Sequence, residues 1–65
     1  MRDVDARLAR EIAAAALAHA AERYATTAAL VRRGEASQEQ LRAATRRLQE
    51  SALAYCQAHG HADAP

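Results

Sequence analysis

The feature that most limits the fold of this chain is one glycine. The first 59 of its 65 residues contain no proline and a single glycine, Gly34, which separates two alanine-rich segments. Glycine is the residue that most often adopts the left-handed backbone ending a helix. Three residues later, Ser37 begins a capping box with Gln40, a pattern that starts helices. The sequence therefore predicts an all-α fold, an antiparallel two-helix hairpin.

The charges near the expected helix ends and the two glycines set the boundaries. We expect a first helix at about residues 3–33, a turn at 34–36 and a second helix at about 37–59, all within one hairpin domain spanning 1–60. Gly60 is expected to end the second helix. Residues 61–65 carry no large apolar side chain that could anchor them, so we expect a flexible C-terminal tail.

The apolar residues of the chain are mostly small. Twenty residues are alanine and only six are leucine. Alanine favours helix strongly but removes little apolar surface from water, and chains this short usually need a disulfide, a metal or a partner to be stable. We therefore expect self-association, with a homodimeric four-helix bundle as the simplest assembly, or binding to another protein.

Apolar residues at seven-residue spacings predict where the two helices meet. Leu17, Tyr24 and Val31 form such a series in the first helix. The matching series in the second helix is Leu41, Leu48 and Tyr55. If the turn centres near Glu35, residue i faces roughly residue 71 − i, which predicts antiparallel packing of the coiled-coil type.

Several large aliphatic residues lie outside that seam. The second helix is expected to end opposite Ile12, so Val4, Leu8 and Ile12 would form a row without cover from the same chain. Leu30 lies at nearly the same angle as Ile12, and Leu53 lies off the seam of the second helix. An apolar arc this wide indicates a further interface, and the row either closes a dimer or receives a helix of another protein. The predicted interface residues are Val4, Leu8, Ile12, Leu17, Tyr24, Leu30, Val31, Leu41, Leu48, Leu53 and Tyr55.

One group of residues has the chemistry of metal ligands. Cys56, His59 and His61 form a C-x-x-H-x-H sequence, and the first two lie three apart on one helical face. The alternative is a buried structural cysteine, a histidine at a helix C-terminus and a histidine in the tail. We expect the alternative, and so no metal and no cofactor.

All nine basic residues are arginine, and five of them lie near the turn and in the first half of the second helix. These candidates for nucleic-acid contact are Arg32, Arg33, Arg42, Arg46 and Arg47. A dimer could present them as a patch that neutralises phosphates. Because Glu35, Glu39 and Glu50 interleave with them, a solvated face of mixed charge is the alternative.

Other functional classes have less support in the sequence. There is no paired-carboxylate site, activated nucleophile or glycine-rich phosphate loop, so we expect no enzymatic activity. Charged residues interrupt every apolar run, so we expect no membrane span. A lone cysteine cannot form an internal disulfide, and we expect a cytoplasmic protein.

In length, hairpin form and implied pairing, residues 3–59 resemble the small plasmid-borne Rop-type bundle proteins. That resemblance implies a dimeric bundle, but it rests on no shared motif, so the RNA binding of those proteins is not carried over to residues of this chain. Our leading expectation is a bacterial interaction module that self-associates and binds or organises a macromolecular partner. A Rop-like nucleic-acid regulator is the first alternative, and a small metal-binding protein the second.

Overall fold

A computed structural model describes the backbone of residues 2–63 and the side chains of residues 5–59. The chain forms two helices, α1 from Arg2–Arg32 and α2 from Gln38–Asp63. The helices pack against each other, and residues 2–63 contain no strand. The prediction of an all-helical, two-helix fold is therefore confirmed.

The end of α1 is held by local backbone hydrogen bonds. Gly34 has a φ of 76°, the left-handed conformation expected of it. The Glu35 amide donates to the Leu30 carbonyl at 2.8 Å, and the Gly34 amide donates to the Val31 carbonyl at 3.0 Å. These two bonds form a Schellman motif, which satisfies carbonyls that the end of a helix leaves without partners.

The start of α2 is held by a reciprocal pair of hydrogen bonds. The Ser37 hydroxyl accepts a bond of 3.1 Å from the Gln40 amide, and the Gln40 Oε1 accepts a bond of 2.7 Å from the Ser37 amide. The Ser37 carbonyl then accepts the first helical bond, from the Leu41 amide. This is the capping box that the sequence predicts, and it reverses the chain within five residues of Arg32.

The other end of α2 differs from the prediction. The helix continues through Gly60 to Asp63 instead of ending near residue 59. Glycine weakens a helix by about 1 kcal/mol relative to alanine, which does not force an end, and the only proline is the last residue of the chain. Residues 61–63 are thus helical, whereas residues 64 and 65 of the expected tail lie outside the described residues. By the expected register, Asp63 at the end of the longer α2 faces about residue 8 of α1. The part of α1 that extends past the end of α2 is therefore limited to the residues before about residue 8.

The seam between the helices contains little buried apolar surface. Ala13 and Ala20 are the buried residues among those described, at 9% and 6% exposure, and no large side chain is fully buried. The predicted seam residues are all half-buried: Leu17, Tyr24, Val31, Leu41, Leu48 and Tyr55. Near the end of α2, the ring of His59 stacks on that of Tyr55 with their centroids 4.2 Å apart.

The molecule is one helical layer thick. Its principal dimensions are 48 × 21 × 13 Å, and the shortest is close to the diameter of a single helix with its side chains. Its radius of gyration is 14.9 Å, whereas a compact domain of this length has one of about 11 Å. Both broad faces of the helix pair are therefore open. Neither α1 nor α2, over the residues described, combines the length and apolarity that a membrane crossing requires.

Candidate interaction surfaces

The two broad faces of the hairpin differ in shape and charge. One contains a groove of about 480 Å³ between the helices, which we call the groove face. Its lining residues are Ala16, His19, Ala20, Arg23 and Thr27 of α1 with Gln40, Ala43, Ala44, Arg47, Glu50 and Ser51 of α2. Ala20 with Ser51, and Thr27 with Ala44, line it from opposite helices. Each of these pairs of numbers sums to 71, which is consistent with the expected register.

The groove has an alanine floor and charged sides. Arg23 of α1 and Arg47 of α2 line it, and neither forms an ion pair within 4.0 Å in the part of the chain that the structure describes. His19 lies one helical turn before Arg23, on the same side of α1. Glu50 is the one carboxylate in the lining. With neutral histidine the groove carries a net positive charge.

On the opposite face, the α1 side is uncharged from Ala14 to Ala28. At about 100° per residue, five alanines of α1 share one stripe on this side: Ala14, Ala18, Ala21, Ala25 and Ala28. Leu53 and Cys56 of α2 lie on the same side, and both are exposed. We call these seven residues the alanine face. Small side chains at this spacing allow two helices to approach closely.

Large aliphatic side chains are exposed near both faces. Leu8 is 53% exposed and Ile12 60% exposed, and both lie on the groove side of α1. Leu30 lies on the same side, half-buried, and lines a second depression beside Arg23 and Gln40. Leu53, also 60% exposed, lies toward the alanine face. The side chain of Val4, the remaining member of the predicted row, lies outside the described residues.

Comparisons with protein-family models, with curated proteins and with solved structures find no match to this chain.

The five arginines predicted to contact nucleic acid do not share one surface. Arg33 pairs with Glu35 at 3.4 Å, and Arg42 pairs with Glu39 at 3.2 Å. Arg47 lies in the groove, whereas Arg32 and Arg46 are exposed outside it. These local pairs agree with the mixed-charge alternative. Nucleic-acid contact by these residues stays a prediction.

Two of the three candidate metal ligands, Cys56 and His59, are among the described side chains. Cys56 is exposed, so the expectation of a buried structural cysteine is wrong. The reason is that the seam of only two helices covers a narrow arc of α2, and Cys56 lies about 80° from its centre. The His59 Nε2 is buried and lacks a hydrogen-bond partner among the described residues. No group of three ligand residues is found there, and the side chain of His61 lies outside them.

Sequence reasoning missed two features of these surfaces. Arg23 was not a candidate, although the register places it opposite Arg47. The uncharged stripe of α1 was also missed, because the interface was predicted from large apolar residues and the stripe consists of alanine. A signal for it was present, since α1 has no charged residue on that side between Arg10 and Arg32.

Proposed function

We propose that this chain is an interaction module that self-associates through the alanine face into a homodimeric four-helix bundle. The dimer leaves the groove face open for a macromolecular partner. The observation that carries this proposal is the single-layer shape, with a seam in which two alanines are the only buried residues among side chains 5–59. Stable domains pack at least two layers around a core, and a second copy supplies the missing layer.

The surface area supports a dimer of ordinary size. The chain exposes 5318 Å², whereas surface scaling for a compact protein of 7.0 kDa gives about 4000 Å². If each chain buries that difference against its copy, the interface totals about 2600 Å², which is within the range of obligate homodimers. A monomer would leave this excess in water.

The chemistry of the two faces supports the alanine face as the contact. Pairing through the groove would bury Arg23 and Arg47 of both copies with one carboxylate each to match them. Burying an unpaired charge is strongly unfavourable. The α1 stripe of the alanine face has no charge between Ala14 and Ala28, and its small residues permit close packing around Leu53. Arg42, which lies on the same side of α2 as Leu53, already pairs with Glu39 at 3.2 Å. We also propose that the dimer works in the cytoplasm, because Cys56 has no disulfide partner within the chain and a free thiol would be prone to oxidation elsewhere.

Sedimentation equilibrium of three chains at low micromolar concentration tests the proposal. The wild-type chain should have about twice the mass of 7.0 kDa. Ala21→Glu places a charge in the alanine face and should give the monomer mass. The matched control, Ala15→Glu, changes an exposed alanine on the outward side of α1 and should stay dimeric.

A spin label at position 15, in the chain Cys56→Ser/Ala15→Cys, provides an independent measurement in case Ala21→Glu fails to fold. In the dimer the label should give one intermolecular distance by pulsed electron resonance, and it lies on the outward side of α1, away from the contact. A wild-type chain that is a cooperatively folded monomer, with no such distance in the labelled chain, would contradict the proposal. So would dissociation caused equally by both glutamates.

A further inference from the structure

We propose that the groove face binds an acidic amphipathic helix of a partner protein. The inference rests on the proposed function, because a second copy on the alanine face leaves the groove open. It goes further in naming the occupant by its chemistry and the residues that recognise it.

The shape of the groove fits a helix. The groove lies between two antiparallel helices, and its floor is made of alanine side chains such as Ala16, Ala20 and Ala44. From Leu8 to Leu30 the groove side of α1 extends about 33 Å at 1.5 Å per residue, which matches a partner helix of about six turns. An amphipathic helix places apolar residues in such a groove at i, i+3, i+4 and i+7.

The charge of the groove selects the sign of the partner. Arg23 and Arg47 reach the groove from opposite helices and lack carboxylate partners among the described residues. The arginines at the turn, by contrast, already pair with Glu35 and Glu39. Carboxylates along the flanks of a bound helix would complete the two free guanidinium groups with bidentate hydrogen bonds. Glu50 would accept from one basic or amide residue of the same helix.

Apolar side chains beyond both ends of the groove lining favour a peptide over a nucleic acid. The lining on α1 runs from Ala16 to Thr27. Leu8 and Ile12 are exposed before it on the same side of the helix, whereas Leu30 lies after it. Aliphatic side chains add nothing to phosphate binding. The groove lining contains no Phe, Tyr or Trp on which a base could stack, and His19 is the one ring in that lining. The apolar side chains and the free arginines together match one occupant, a helix with leucines on one side and carboxylates beside them.

A display library of helical peptides about 20 residues long tests this inference. The apolar positions are fixed as leucine or alanine, and each flanking position is free to be Glu, Gln or Lys. Selection on the full wild-type chain should enrich Glu at the flanks. Selection on Arg23→Glu/Arg47→Glu should enrich Lys. The best acidic peptide should bind that double variant about tenfold more weakly and should lose affinity as salt increases.

Two controls separate a groove effect from general attraction. Arg42→Gln/Arg46→Gln removes the same amount of charge as Arg23→Gln/Arg47→Gln, but outside the groove, and only the groove pair should weaken the acidic peptide. Ile12→Ala should weaken it more than Gln57→Ala, since both positions are exposed and only Ile12 lies on the groove side.

Several outcomes would overturn the inference. The first is a selection that yields no binders or shows no preference for Glu at the flanks. The second is an equal loss of affinity for the acidic peptide in the two double arginine variants. The third is that the chain binds a mixed-sequence RNA and no peptide. Sedimentation of Arg23→Glu/Arg47→Glu distinguishes this failure from failure of the proposed function. A dimer that binds no acidic peptide refutes only the helix site, whereas loss of the dimer in this variant shows that the groove itself is the self-contact.

Discussion

The turn between the helices and the seam along them are held by different kinds of interaction. At the turn, four short hydrogen bonds connect residues at most five apart in sequence, and they satisfy the end of α1 and the start of α2. Along the seam the helices meet through half-buried side chains and two buried alanines. The chain therefore specifies its reversal locally but leaves most of its apolar surface uncovered. In the dimer that we propose, contacts with a second copy would supply stability beyond the turn.

The largest expected effect is at the seam. Ala20→Glu places a charge at a position that is 6% exposed, so we expect the free energy of unfolding to fall by about 3 kcal/mol. A hairpin with so small a core should then lose most of its helix at room temperature. Circular dichroism during urea titration measures this, with Ala15→Glu as the exposed control. If Ala20→Glu and Ala15→Glu have the same urea midpoint, burial of Ala20 in the seam does not stabilise the hairpin.

A smaller effect is expected at the end of α1. Gly34 has a φ of 76°, and a Cβ built there meets no atom within 4 Å, so the cost of Gly34→Ala is conformational alone. We expect a loss of about 1 kcal/mol, the cost of placing an L-residue in the left-handed region. Gly34→Asn should lose less, because asparagine tolerates that region. Equal urea midpoints for the glycine and alanine chains would show that the left-handed turn is not maintained.

The capping box at the start of α2 should contribute a similar amount, about 1 kcal/mol, to the free energy of unfolding. Ser37→Ala removes the acceptor for the Gln40 amide, and such replacements cost about 1 kcal/mol. Ser37→Asp keeps an acceptor at the same position and should retain most of the stability. If Ser37→Ala and Ser37→Asp unfold at the same urea concentration, the 3.1 Å hydrogen bond from the Gln40 amide to the Ser37 hydroxyl contributes little to stability.

Features set within a few residues could be predicted from the sequence, and features set by the second helix could not. Gly34 and the Ser37–Gln40 pair determine the turn by their own backbone and side-chain chemistry, so the two-helix fold was predictable. The exposure of Cys56 depends on which side of α2 packs against α1. A helical wheel of α2 alone does not show how wide an arc α1 covers. The groove likewise exists only where Arg23 and Arg47 are brought beside each other by packing.

The smallest expected effect is at Gly60. Replacing glycine by alanine should raise the free energy of unfolding at Gly60 but lower it at Gly34, so the two glycines can be compared directly. The helix continues through Gly60, so Gly60→Ala should raise the free energy of unfolding by about 0.5 kcal/mol, as expected when alanine replaces glycine near a helix end. Gly34→Ala should lower it. Both variants can be measured against the wild-type chain in one urea series at fixed concentration. If both alanines destabilise, Gly60 ends α2 as its sequence context suggests, and α2 stops short of Asp63.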